Sequence, residues 1–205
     1  WRRRGKPAGS KHDATGRGGP GRGALDQRPR FAHSRPMERA EPIRVIITGG
    51  TFDKHYDEVK GSLTFKDTHL PEILRFTRCT VPIEVELNQL IDSLEMHEQN
   101  RLQVLEACRR APEERIVVTH GTDTMVETAE VLGRAALPKT IVLTGAMVPY
   151  MVTNSDAVFN FGCAVTAVQL CAPGVWIAMN GRVFRWDAVR KNRGLGVFEP
   201  KEEEP

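Results

Sequence analysis

The sequence has no apolar run near the roughly 18 residues that a membrane-crossing helix needs, which excludes a helical bilayer span. It has no CxxC pair, and its four cysteines (Cys79, Cys108, Cys163, Cys171) sit at no Cys/His metal-ligand spacing. Zinc ribbons, zinc fingers and dithiol redox motifs are therefore excluded, and reduced core thiols in a cytoplasmic protein are expected. GxxxxGK[ST] and a complete GxGxxG are also missing, so neither common phosphate cradle is present. No apolar h-region is present to make a secretory signal.

The charge is unevenly spread. Residues 1–36 carry ten Lys or Arg against two acids, whereas residues 37–205 carry nineteen against twenty-four. The formal +3 and the pI near 8.8 are thus properties of the head and not of the longer remainder. That head is rich in Gly, Pro and Arg and nearly devoid of apolar residues, so it cannot bury a core. Three readings apply to it: a nucleic-acid-binding arm, a targeting peptide, or sequence upstream of a true start at Met37. The third is favoured, because the chain opens on Trp1 and the ordered pattern begins just after Met37. Residues 1–39 are accordingly read as a disordered basic head and 201–205 as a solvated acidic tail.

From residue 43 the chain alternates short β-rich runs with helical patterns. Strands are expected over 43–48, 83–90, 115–120, 139–146 and 174–180. Helices are expected over 69–78, 98–111, from Thr124 onward, and 155–170. Thr124 and Glu127 have capping-box spacing. Val158, Phe161, Val165 and Val168 form one helical stripe. Apolar strands separated by helices predict one α/β domain over residues 40–200, a three-layer fold with a mostly parallel sheet covered on both faces.

In such folds ligands bind outside the carboxyl ends of the strands. The segments after the five runs are Thr48-Gly49-Gly50-Thr51, Asp92-Ser93, Thr119-His120-Gly121-Thr122-Asp123-Thr124, Thr144-Gly145-Ala146-Met147 and Asn180-Gly181. Small hydroxyls and glycines gather on one edge of the sheet. Taken singly, Gly-Gly is a turn and an Asp or Thr before a helix is a cap. One cap satisfies a helix end, however, and does not account for Asp123 together with Thr119, Thr122 and Thr124.

Two of these segments resemble the signatures of the bacterial-type L-asparaginase/glutaminase amidohydrolases: "TGGTF" (48–52) the first threonine motif, "HGTDTMVETA" (120–129) the second. "VLTGAMVP" and "NSDAVFNF" resemble the family's next strand, loop and helix, and the likeness runs from about Ile43 to Pro200. The resemblance covers what would be the larger, N-terminal domain of a typical member. It implies hydrolysis of L-asparagine to L-aspartate and ammonia with no metal or organic cofactor.

Carried over by position, Thr51 is the nucleophile and Thr122 with Asp123 the second-motif pair. Lys191, eleven residues after Asn180, completes a Thr-Lys-Asp cluster. Ser93 takes the place of the serine that holds the substrate α-carboxylate. Asp123 is charged to hold the α-ammonium, and Gly50 and Gly121 join the substrate-binding set. Such chemistry needs an activated hydroxyl and oxyanion donors, which a lysine relaying through Thr122 and backbone N–H groups at a helix start can supply.

The chain also departs from the pattern. In the family a catalytic tyrosine on a mobile loop closes over the substrate; Tyr56 is the candidate for it here, although it stands only five residues after Thr51. Leu94 and Glu95 replace a common Gln and Asp. The family's second domain has no counterpart in the chain, so the pocket would be completed by its own loops or by a partner chain, as in a homo-oligomer. His120 is expected to be structural, and His55 and His97 to lie at the surface. Two other readings stand beside asparagine hydrolysis. One is a glutaminase or related amidase, including one supplying ammonia to a tRNA-dependent amidotransferase. The other is a non-catalytic amino-acid-binding domain. A small amino acid is the expected partner, with neither a membrane nor nucleic acid.

Overall fold

The computed structural model describes residues 41–201. The expectations for residues 1–39, and for the acidic tail beyond Lys201, lie outside the described residues. Within them the chain runs β1 (Ile43–Gly49), β2 (Lys54–Asp57), β3 (Ser62–Phe65), α1 (Leu70–Thr77), β4 (Ile83–Ile91), α2 (Glu98–Arg110), β5 (Arg115–Thr119) and α3 (Met125–Arg134). It continues through β6 (Thr140–Thr144), α4 (Ala157–Leu170), β7 (Gly174–Met179), β8 (Arg182–Arg185), β9 (Val189–Asn192) and β10 (Val197–Pro200). A six-stranded sheet has the order β4-β1-β5-β6-β7-β8, parallel except for β8. The pairs β2–β3 and β9–β10 are separate antiparallel hairpins.

The strand alternation sorts the core into two layers. Val45, Val117, Val142 and Trp176 lie in register across the sheet and face α1 and α4, where Ile73, Phe161 and Val165 close over them. Their neighbours Ile46, Ile116, Ile141 and Ile177 point the other way, against Val104 of α2 and Ala129 and Leu132 of α3. Each such side chain contributes about 1.5–3 kcal/mol against its exposed state. This is the three-layer α/β domain with a mostly parallel sheet that the alternating pattern predicts.

Four features differ from the sequence-based expectation. The β4 edge is not covered on both faces: Val85 and Leu87 are exposed, because this strand alternates with Glu84 and Glu86 instead of running apolar throughout. The capping box at Thr124 does not form, because its hydroxyl donates to the Ser93 carbonyl (2.7 Å) instead of to the helix start. Three β segments beyond the five runs appear: the two hairpins and β8. His55 is half-buried and not fully exposed, its ring stacked on the buried His69 at 3.9 Å between centroids.

Candidate active site

The loops after β1, β4 and β5 meet through glycine. Gly49 and Gly50 turn the chain at φ 92° and 75°, a region closed to most side chains. A Cβ on Gly49 would meet the Ile91 nitrogen at 2.6 Å, and one on Gly50 the Gly121 nitrogen at 2.3 Å. A Cβ on Gly121 would in turn meet Ser93 Oγ at 2.5 Å. The Gly50 N–H donates to the Ile91 carbonyl (3.0 Å), locking the first loop to the end of β4. Thr51, Ser93 and Thr122 are therefore carried on three backbones in van der Waals contact.

The threonines of this edge divide by task. Thr48 Oγ1 donates to the Thr119 carbonyl (2.8 Å) and Thr144 Oγ1 to the Ala178 carbonyl (2.9 Å), each joining neighbouring strand ends. Thr124 ties its loop to Ser93. Thr119 Oγ1 is buried and has no partner. Thr122 is the one that meets charge: Lys191 Nζ donates to its hydroxyl at 2.8 Å and to Asp123 Oδ1 at 2.8 Å. Lys191 is nearly sealed from solvent at 8% side-chain exposure, whereas Asp123 is open at 37%. The ammonium is thus held inside, and the carboxylate keeps one oxygen free to face the solvent side.

Lys191 reaches this point because its hairpin is nailed to the core. Val189 and Phe198 are buried in the α2/α3 layer, and Phe198 pairs with Lys191 across β9–β10. The Phe198 N–H donates to Asn180 Oδ1 (3.0 Å), and the Asn180 N–H donates to Asn160 Oδ1 (3.1 Å). Buried Asn160 also donates to the Gly145 carbonyl and to Asp156, whose carboxylate accepts from the Met147 and Val148 N–H groups. Sequence reasoning missed this Asn160–Asp156 hub. Its signal was the pair Asp156 and Asn160, one turn apart at the start of a largely apolar helix.

Thr51 is half-buried at the head of a 3-10 turn, Thr51–Asp53, and its hydroxyl makes no hydrogen bond to another described residue. Behind it Phe52 is buried against Phe161 (6.2 Å between rings), and Asp53 is fully buried. Asp53 Oδ1 accepts from Thr68 Oγ1 (2.8 Å) and the His69 N–H (3.2 Å), and its Oδ2 has no partner. Burial pushes its pKa up to about 6. Lys54 pairs with Asp92 at 2.6 Å, joining the next strand to the β4 loop.

The other candidate residues fall variously. Ser93 is buried beside Gly121. Tyr56 stands on β2 opposite Leu63, 61% exposed, and makes no hydrogen bond to Lys191, Thr122, Asp123 or any other described residue. His120 is fully buried; Nδ1 faces the Gly121 carbonyl (2.7 Å) and must be its donor, which leaves Nε2 to accept from Thr128 Oγ1 (2.8 Å). Burial lowers its pKa to about 4. His97 is exposed. Among the described residues no group of His, Cys, Asp and Glu is arranged to hold a metal, and no helix is long and apolar enough to cross a membrane.

The family model described as asparaginase, N-terminal, matches residues 42–198. An L-asparaginase of Thermococcus kodakarensis is 37% identical over 84 residues, 40% of this chain and 26% of its own length. The solved thermostable L-asparaginase of that organism superposes with a TM-score of 0.70 at 28% identity, over 78% of this chain and 51% of the other. A subunit of the glutamyl-tRNA(Gln) amidotransferase of Archaeoglobus fulgidus is 30% identical over 166 residues, 73% of this chain and 39% of its own length. The chain spans well under half the length of these curated relatives and about half of the solved structure.

Proposed function

The chain belongs to the asparaginase family, over its N-terminal domain, and from that premise we propose that it is an amidohydrolase that cleaves the side-chain amide of L-asparagine. The observation that carries the reading is Lys191 Nζ within 2.8 Å of both Thr122 Oγ1 and Asp123 Oδ1. A lysine sealed from water, a hydroxyl and a carboxylate form a path along which a proton can leave a nucleophile.

In this reading the substrate lies across the contact of Gly50, Gly121 and Ser93. Ser93 holds the α-carboxylate, the free oxygen of Asp123 holds the α-ammonium, and Gly50 and Gly121 let the backbone approach closely. The Thr51 hydroxyl attacks the carboxamide carbon as its proton passes through the Thr122 hydroxyl to Lys191, which acts here as the neutral amine after first releasing a proton to solvent beside Asp123. Backbone N–H groups at the start of α3 stabilise the tetrahedral oxygen. The C–N bond then breaks with a proton delivered to the departing ammonia, and water cleaves the resulting threonyl ester to release aspartate. Tyr56 would need hairpin β2–β3 to fold over the site before it could take part. No metal or organic cofactor enters any step.

A second reading is favoured by the length of the match to the amidotransferase chain: the same chemistry on glutamine or another amide, with the ammonia passed on. The cluster's open carboxylate supports completion of the pocket by a second chain, as in a homo-oligomer. The four free cysteines fit the cytoplasm, and the proposed partner is a small amino acid, not nucleic acid or a membrane.

The test is ammonia release from L-asparagine and from L-glutamine by the full chain, beside Thr51→Ala and Lys191→Ala. Turnover of asparagine that both substitutions abolish in folded protein supports the reading. Turnover of glutamine alone moves the assignment to the second. A folded protein that binds asparagine without turning it over would make the chain a binding domain.

A further inference from the structure

Two residues beyond Thr51 the chain buries a carboxylate that the proposed chemistry does not use. Asp53 is 0% exposed and belongs to the same 3-10 turn as Thr51. One of its oxygens grips the segment leading into α1, through the Thr68 hydroxyl and the His69 N–H, while the other has no partner. A buried hydrophobe at this position would hold the turn at less cost, since an unpaired buried oxygen is unfavourable.

The surroundings of the carboxylate contain several groups that can change charge. On β2, His55 stacks on His69 at 3.9 Å and pairs with Asp67 at 2.8 Å. From α1 and the residues before it come Asp67, His69 and Glu72, and from the loop after β6 comes Tyr150, whose ring lies 5.2 Å from His69. Together they line a cleft of about 590 Å³ open to solvent beside the turn. His69 is itself buried and has an unpartnered Nε2. Lys54, the charged residue next to Asp53, is engaged with Asp92 and does not neutralise it.

We propose that Asp53 is a positioning residue for Thr51: ionised, it clamps the nucleophile turn to the head of α1, and protonated, it slackens that clamp. Hydrogen bonds to an ionised acceptor are roughly twice as strong as those to a neutral one, so one proton weakens both grips at once. Phe52 keeps the turn in the core in either state, so the change is a loosening and not an unfolding. The inference rests on the reading of Thr51 as nucleophile, but the clamp itself can be measured without turnover.

The experiment uses the full chain with labelled threonine methyl groups and backbone amides, followed by NMR from pH 4.5 to 8. In the wild type the Thr51 methyl and the His69 amide, which donates to Asp53, should shift together with an inflection near pH 6, where burial puts the carboxylate. Asp53→Asn should abolish both titrations. Thr68→Val keeps the carboxylate but removes a bond that favours its charge, so the inflection should move to higher pH. That variant decides the matter even if Asp53→Asn fails to fold.

In parallel, wild-type kcat on asparagine should fall on the acid side with the same inflection. Asp53→Asn should fix kcat at the low-pH level, about tenfold down or more, with KM nearly unchanged because Ser93 and Asp123 are untouched. A Thr51 resonance that stays fixed across the range, or Asp53→Asn with the wild-type kcat and acid limb, would overturn the proposal. Absence of turnover in the wild type would instead remove the hydrolase reading, while the Thr51 titration still decides the clamp.

Discussion

Gly50 and Gly121 touch: a Cβ on the first would stand 2.3 Å from the backbone nitrogen of the second. The two threonine-bearing loops are therefore one construction, and the distance between Thr51 and Thr122 is set by backbone packing instead of by flexible side chains. Catalysis of the kind proposed depends on such placement, because reacting groups must be held within fractions of an ångström of each other.

Gly50→Ala should be severely disruptive. It forces an alanine to φ 75° and drives its methyl into the backbone of the neighbouring loop. The dihedral strain alone costs about 1–3 kcal/mol, and the clash adds to it. The expected outcome is a clear drop in Tm by thermal unfolding together with loss of amide hydrolysis. An alanine variant with wild-type stability and activity would mean the two loops are not packed as described.

Lys191→Arg separates charge from proton transfer. The guanidinium keeps the positive charge beside Asp123 but does not give up a proton at accessible pH, and its planar fork does not fit a site shaped for a point donor. kcat should fall by about a hundredfold or more, the usual range for loss of a positioned acid or base, in a protein that still folds although the misfit lowers its Tm. Near-wild-type kcat in this variant would remove Lys191 from the proton path and leave it an electrostatic role.

The sequence made the frame of this molecule readable where its periodicity was strong. The five apolar runs and four helical patterns all appear, because four of the runs are central strands buried on both faces. Hairpins β2–β3 and β9–β10 and strand β8 were not legible: each strand is four residues long, largely unburied, and lacks an apolar period. Lys191 sits on such a hairpin, so only the family resemblance pointed to it, and periodicity did not. Thr124 misled, since its spacing to Glu127 fits a capping box while the nearby Ser93 carbonyl takes its hydroxyl instead. Asp53 went unremarked because nothing local distinguishes a buried acid from a solvated one in a Gly-rich loop.

Cysteine reactivity offers a check on the packing of the α2 layer. Cys108 is fully buried, and burial pushes its thiol up to about 12. At pH 8 it should resist alkylation in the folded protein, whereas the partly exposed Cys79 and Cys163 react. Mass spectrometry of the labelled peptides reads this directly. Labelling of Cys108 at the rate of the other two would show that the layer opens.

Asp53 and His120 should pull stability in opposite directions as pH changes. Asp53 titrates near 6 in the fold against 3.8 for its ordinary value, so its contribution is greatest below 3.8 and is lost as pH rises to 6. His120 titrates near 4 against 6.5, so its contribution is fully present above 6.5 and is lost as pH falls toward 4. At 1.36 kcal/mol per pKa unit each amounts to about 3 kcal/mol, and in the wild type the two largely offset between pH 4 and 6.5. Removing either one exposes the other. Between pH 4.5 and 7.5, urea unfolding should show Asp53→Asn gaining stability relative to the wild type as pH rises. His120→Gln should lose relative stability over the same range, on top of a constant cost for its missing hydrogen bond. Two difference curves with the same slope would mean that one of the two groups is not buried in the charge state assigned to it. The sign of each slope then says which.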